Sequence, residues 1–161
     1  MQYFINKFSL IKLREAKIED LSTLLEFEKS LIEYERAFTP NLKKSNFNYY
    51  DLKSYIKNPE ISVVVAEKEN SLIASGYALI RLNKTYKNPS HFVFLGFMYV
   101  VPEYRGMGLN KKVLGYLMEW GKKKGYSEFQ LDVYAPNQSA IKAYKKAGFD
   151  FETITMRLNL E

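Results

Sequence analysis

Two short segments about thirty residues apart hold the residue types best suited to chemistry. The first is Val101-Pro102-Glu103-Tyr104-Arg105-Gly106-Met107-Gly108-Leu109-Asn110, which reads as a strand end turning through glycines into a helix. Gly106 and Gly108 lack a Cβ, so their backbone can adopt positive φ and approach a ligand closely. A helix start leaves about four amide N–H groups without helical partners and carries partial positive charge. An anion such as a pyrophosphate satisfies both. Arg105, Lys111 and Lys112 crowd cations around this start, and no acid in 105–112 offsets them. Cations are disfavoured at that end of a helix, so the pattern asks for an anionic ligand. Neither a Walker loop nor the dinucleotide fingerprint fits, because no Gly-Lys-Ser/Thr follows and the G-x-G-x-x-G spacing fails.

The second segment runs from Asn137 to Phe149. Asn137 follows Ala135-Pro136 and is a good helix N-cap. Asn137, Ala140, Ile141, Tyr144 and Gly148 then share one helix face. On that face Tyr144 suits either a core position or a proton donor.

The elements that position these residues are legible as patterns. Residues 8–15 alternate as a strand, and apolar residues recur at helical spacing from Ile18 to about Phe38. A short helix is predicted over 48–57, ending before Pro59. Ile61 to Glu67 and Ser71 to Leu82 read as a hairpin about Glu69-Asn70-Ser71. The polar, proline-containing stretch 83–90 is a loop. Phe92 to Val101 is apolar on both faces, so it belongs mid-sheet. A helix from about Met107 to Lys124, a strand 127–134, a helix 137–147 and a last strand 149–160 complete the reading. Pro102 cannot donate to a ladder, so pairing should stop or splay there, leaving backbone groups of Met98, Tyr99 and Val100 for an extended ligand.

Composition bounds the rest. The chain has 161 residues, 47% of them apolar, which suits one domain with a sizeable core. No apolar run approaches the ~20 residues of a membrane span, and no membrane partner is expected. The first residues make a poor signal peptide. No cysteine is present, so disulfides, thiolate zinc sites and a cysteine nucleophile are excluded, no metal is expected, and a cytoplasmic setting fits. The net charge of +6 suits nucleic acid, an anionic membrane or a phosphorylated small molecule. The lysines are spread along the chain, which argues against a nucleic-acid surface.

Taken in order, V-x-P-x-x-R-G-x-G-L followed by L-x-V-x-x-x-N-x-x-A-x-x-x-Y-x-K-x-G-F resembles the GNAT superfamily of acyl-CoA-dependent N-acetyltransferases. The likeness is close over residues 92–149, and the order of elements extends it to nearly the whole chain, 1–161. It implies one α/β domain with a mixed central sheet of about 6–7 strands flanked by about 4 helices. It implies acetyl-CoA as cofactor, with the Arg105-Gly106-Met107-Gly108 turn on its pyrophosphate and Lys111 beside it. Met98, Tyr99 and Val100 would pair with the pantetheine arm, and Asn137 would contact the cofactor. Tyr144 would protonate the departing thiolate. Asn110 departs from the family, which usually has Gly or Ala there, and its larger side chain either crowds the phosphate or hydrogen-bonds to it.

The proton acceptor is less determined. Many family members carry a glutamate on the central strand, but Phe94-Leu95-Gly96-Phe97-Met98 has no acid. Asp132 is the candidate base, with a loop-orienting acid or a water relay as alternatives. The only histidine, His91, borders a polar loop and reads as solvated. Glu26, Glu28, Glu33 and Glu35 lie on the N-terminal helix, where Glu33 and Glu35 are candidates for binding a cationic amine, although such a charged face is usually just solvated. The expected partners are a small-molecule or peptide amine and, as an assembly, a homodimer. A non-catalytic acyl-CoA-binding module on the same fold remains the alternative to an enzyme.

Overall fold

The computed structural model describes residues 11–160. Four strands, β1 (Lys12–Glu15), β2 (Ile61–Lys68), β3 (Ser71–Leu82) and β4 (His91–Val100), pair antiparallel in sequence order. The short β5 (Phe129–Leu131) adds to β4 in parallel. Helices α1 (Leu21–Glu35) and α2 (Leu52–Lys57) lie on one face, while α3 (Leu109–Lys123) covers the other. The last helix, α4 (Gln138–Lys146), follows β5. No helix among the described residues is long and apolar enough to cross a membrane.

Strand parity builds both cores. On β2, Val64 and Ala66 face α3 with Leu109, Val113, Leu114 and Leu117. Val63 and Val65 face the other way, toward Leu24 and Phe27 of α1 and Leu52 of α2. An unbroken apolar strand is therefore two alternating strands superposed, one for each core. Each fully buried Val or Leu contributes about 1.5–3 kcal/mol of transfer free energy.

β4 adds a twist to this rule. Phe92 and Phe94 face α1, with Val93 and Leu95 toward α3. Beyond Gly96 the parity flips, and Phe97 and Tyr99 face α1 while Met98 and Val100 face α3. The register shift lies between Ser75 and Tyr77 of β3, and Phe97 takes φ 55°. An extra residue in one strand, as here, is a β-bulge, which bends the strand and re-aims its side chains. Gly96 makes room for it, since a Cβ there would lie 2.5 Å from the Tyr77 ring.

Four expectations need correction. The sheet has five strands, not six or seven. Residues 149–160, expected as the last strand, join no ladder and are largely exposed. Residues 127–134 form only the three-residue β5. The helix after the glycine turn starts at Leu109, because Gly108 caps it at φ 78°. Of the first strand, residues 8–10 lie outside the described residues.

Candidate active site

β4 pairs with β3 as far as Val100, but with β5 only from Val93 to Leu95. Among the described residues, the β5-side edge of Gly96 to Val100 therefore has no strand beside it. The cause is the brevity of β5, combined with the bulge that bends β4 away. Unpaired edge groups of this kind hydrogen-bond readily to an extended ligand. One acceptor on that edge is already engaged, as Arg105 Nε donates to the Val100 carbonyl at 2.9 Å.

The edge leads straight into the turn. Val101 N still donates to Ile73 O at 2.9 Å, then Pro102–Tyr104 forms one 3-10 turn. Gly106 and Gly108 follow at φ 72° and 78°, and a Cβ at either would meet nothing within 4 Å. The turn thus leaves open space beside both α-carbons, ahead of the first amides of α3. The first turn of α3 holds no acid, and Lys111 and Lys112 are exposed there. Asn110 and Met107 are half-buried beside them. Backbone donors, cations and free space together fit a pyrophosphate.

Arg105 also links the two halves of the site. Its guanidinium lies 5.5 Å from the Tyr34 ring centroid of α1 and 5.8 Å from that of Tyr99. Tyr99 in turn stacks on Phe27 at 4.8 Å. Cation–π contact of this kind is worth about 0.5–1 kcal/mol at exposed sites.

On α4, Asn137 is the N-cap, its Oδ1 accepting from Ala140 N at 3.2 Å. Contact with a cofactor then falls to its Nδ2 donors. Tyr144 packs its ring edge-on to Phe149 at 6.2 Å, at the margin of the α3-side core. Burial raises its phenol to about 12, and the Glu35 carboxylate adds to the rise. Both effects disfavour the phenolate, so Tyr144 holds its proton through the neutral range.

The acids separate sharply. Glu33 is exposed and accepts from Arg36 Nε at 2.9 Å, an ordinary pair one helical turn away. Glu35 is half-buried, and burial raises its carboxyl above the usual range, a rise that the Tyr49 hydroxyl partly opposes. The Tyr49 hydroxyl is buried without a hydrogen bond of full geometry, though Glu35 and Tyr134 lie close enough to act on it. Burial first, then Glu35, hold Tyr49 well above an ordinary phenol. Glu35 charge also reaches Tyr50 and Tyr144. The structure therefore gathers Glu35, Tyr49, Tyr50 and Tyr144 and leaves Glu33 outside. Asp132 sits exposed just past β5, where its charge reaches Tyr77. His91 is exposed beside Ser90 Oγ at 2.9 Å, apart from this group.

Glu28 is the residue that pattern reading misplaces on a solvated face. It is 0% exposed. Its carboxylate accepts from Tyr49 N at 2.6 Å, Tyr50 N at 2.8 Å and Asn48 Nδ2 at 2.7 Å. These bonds clamp the 48–50 segment onto α1. Tyr50 consequently packs against Tyr77 at 5.2 Å and Phe97 at 5.4 Å, directly on the bulge. The only local signal was position, because Leu24, Phe27, Glu28 and Ile32 form the buried stripe of α1.

Comparison with known proteins agrees with this fold. The model of the family described as Acetyltransferase (GNAT) family matches residues 26–149. The chain is 30% identical over 147 residues to thialysine N-epsilon-acetyltransferase of Sus scrofa, covering 86% of this chain and 83% of that protein. It is 30% identical over 81 residues to aminoglycoside N(6')-acetyltransferase type 1 of Salmonella typhimurium, 48% of this chain and 56% of that one. Among solved structures, one from Clostridium acetobutylicum, described as a predicted acetyltransferase with acetyl-CoA, superposes with a TM-score of 0.71. It shares 23% identity, over 93% of this chain and 96% of that one.

Proposed function

We propose that this chain, which belongs to the Acetyltransferase (GNAT) family and is an N-acetyltransferase, takes its acetyl group from acetyl-CoA and passes it to a primary amine. The observation that carries the reading is the positive-φ turn of Gly106 and Gly108, open to a ligand, ahead of a helix that begins with cations. Arg105, Gly106, Met107, Gly108, Asn110 and Lys111 would hold the pyrophosphate. The free edge of Met98, Tyr99 and Val100 would hold the pantetheine arm, with Asn137 beside it. When bound, the thioester supplies an acyl carbon activated toward nucleophiles.

The chain's own residues then handle two protons. The amine must lose one before its lone pair can form the new C–N bond. Asp132 takes it, directly or through water. The Tyr144 hydroxyl would give its proton to the departing thiolate as the C–S bond breaks, and the second proton shed by the nitrogen would restore the phenol through water. A phenol has a reference pKa of ~10 and a thiol ~8.5, so the transfer is uphill by about 2 kcal/mol and is drawn forward by collapse of the tetrahedral adduct and reprotonation of the phenolate. Burial keeps Tyr144 protonated for that moment. Glu35 offers a half-buried negative charge to the incoming ammonium, with Glu33 further out on the approach. The amines in the names of the relatives, thialysine and an aminoglycoside, both carry amino groups and fit such an acceptor site. A cytoplasmic setting suits a consumer of acetyl-CoA without cysteines.

Free thiol release from acetyl-CoA over a panel of thialysine, lysine, polyamines and aminoglycosides tests this. We expect amine-dependent release with at least one of them. Measurable coenzyme A binding without release for any amine would overturn the proposed acetyl transfer to an amine.

A further inference from the structure

We propose that Arg81 receives an anionic group on the acceptor, so that the substrate is an amine carrying a carboxylate or phosphate about 7 Å from the reacting nitrogen. The inference rests on the acetyl transfer proposed above and names the class of amine it serves.

Arg81 ends a row of side chains on β3. Tyr77 and Leu79 of that strand pack toward α1 and α2, and side chains two apart share a face. Arg81 comes next in the row and is exposed. Its guanidinium lies over the Phe94 ring of β4, 3.6 Å from the centroid. Phe94 stands opposite Leu79 in the ladder, whereas Arg81 itself stands opposite Phe92. The side chain therefore leans back along the sheet, toward Tyr77 and Gly96. Stacking on a ring fixes the plane of a guanidinium and leaves its N–H edge for a bidentate oxyanion. Among the described residues, the ion pairs all use other side chains. Glu128, the acid just before β5, accepts from Gln130 Nε2 at 3.4 Å instead.

This face of the sheet has two poles. Tyr50 packs on Tyr77 at 5.2 Å and feels the charge of Glu35. Tyr77 feels Arg81 and Asp132. The order along the face is thus Glu35, Tyr50, Tyr77, Arg81. An ammonium is drawn to the acidic pole and repelled at the basic one. A diamine gains nothing from placing its second charge beside Arg81, whereas an anion gains a charge-assisted pair.

Spacing sets the length of the acceptor. β5 closes the sheet from Val93 to Leu95, so the free edge of β4 begins at Gly96 and the reacting nitrogen meets the acyl group no deeper than this. Phe94, under the guanidinium, lies two residues back along β4, roughly 7 Å at ~3.3 Å per residue. An extended amino acid of lysine length holds its side-chain nitrogen ~7 Å from its carboxylate. A phosphorylated amino sugar has a comparable reach.

Matched pairs test the assignment, lysine against lysinamide and glucosamine 6-phosphate against glucosamine. Initial rates of thiol release and calorimetric binding to the coenzyme A complex are read for each compound. In at least one pair the anionic member should show kcat/KM about tenfold higher, gained through KM, with binding tighter by a similar factor. A response confined to the lysine pair assigns a carboxylate, and one confined to the sugar pair a phosphate. Arg81→Gln should erase the preference while the neutral members stay within about twofold, and Arg81→Lys should restore part of it. Arg81 is exposed, so both variants should keep the thermal midpoint of the parent. Equal KM and equal binding within both pairs, or an Arg81→Gln loss shared by the neutral members, would overturn the role of Arg81. Absence of thiol release with every amine would instead overturn acetyl transfer, and the calorimetric preference with its loss in Arg81→Gln would still decide the anion site.

Discussion

The two halves of the site hold their chemistry in different currencies. The β4–α3 half presents backbone, that is, the free edge of Gly96 to Val100 and the amides at Gly106 and Gly108. The α1 half presents side chains, with Tyr49 and Tyr50 kept in place by the buried carboxylate of Glu28 and Glu35 beside Tyr49. A backbone site tolerates change in most side chains, since its donors belong to the turn. A side-chain site depends on contacts between distant parts of the chain. One half should therefore fail in cofactor affinity and the other in use of the amine, and each substitution below sharpens or breaks that division.

The largest effect belongs to the residue between the halves. Tyr144→Phe removes only a hydroxyl from a ring that otherwise stays packed on Phe149. Turnover should fall by about 10²–10⁴, the usual contribution of a positioned acid. Coenzyme A affinity by calorimetry should stay within about twofold, because the ring is kept. Unchanged turnover would remove Tyr144 from the mechanism.

Within the backbone half, Arg105 is the side chain most exposed to test. Arg105→Ala deletes a cation at the anion site along with its bond to Val100 O. We expect coenzyme A affinity to weaken about tenfold, or ~1.4 kcal/mol. The turn amides remain, so binding should not be abolished. An unchanged affinity would refute the anion-site reading of the turn.

The side-chain half should respond in the other coordinate. Glu28→Gln keeps the shape but replaces one acceptor oxygen by a donor that faces the donors on Tyr49, Tyr50 and Asn48. Loss of a charge-assisted bond and an unsatisfied buried N–H should cost about 2–3 kcal/mol of stability, read by urea unfolding. If the variant stays folded, the amine KM should rise several-fold with coenzyme A affinity retained. A rise confined to the coenzyme A dissociation constant would break the division of labour.

This contrast also explains what was legible in the sequence. The glycine turn, the Asn137 cap and the position of Tyr144 are local, since their spacing is set within one or two helical turns, and the structure has them where the spacing requires. Glu28 was misplaced because its partners lie 20 to 22 residues away. Nothing in a helical repeat says that a glutamate on the apolar stripe will find two amides. The parity flip in β4 was hidden for another reason. A strand apolar on both faces reads the same before and after a bulge. The segment 149–160 was read as a last strand but joins no ladder, since a strand-like pattern names a face to be buried and not the sheet that will bury it.

The smallest expected effect concerns pH, and it separates Glu35 from Glu33. Burial sets the folded-state pKa of Glu35 above its ordinary value of 4.5, so the folded chain keeps that proton to higher pH than the unfolded chain does. Its contribution to stability is therefore full below the unfolded value and is lost as pH rises through the folded one. Over the same interval the carboxylate appears, and with it the charge offered to an ammonium. A primary amine of reference pKa ~10.4 stays cationic throughout, so it contributes no slope of its own. The amine KM should accordingly fall a few-fold as pH rises from mildly acidic toward neutral, while the thermal midpoint gains less than in Glu35→Gln. In Glu35→Gln the KM should be flat and higher, and in Glu33→Gln it should keep the slope, because Glu33 is exposed and turned toward Arg36. If Glu35→Gln kept the slope, the charge facing the amine would have to come from another acid, with Asp132 the next to substitute.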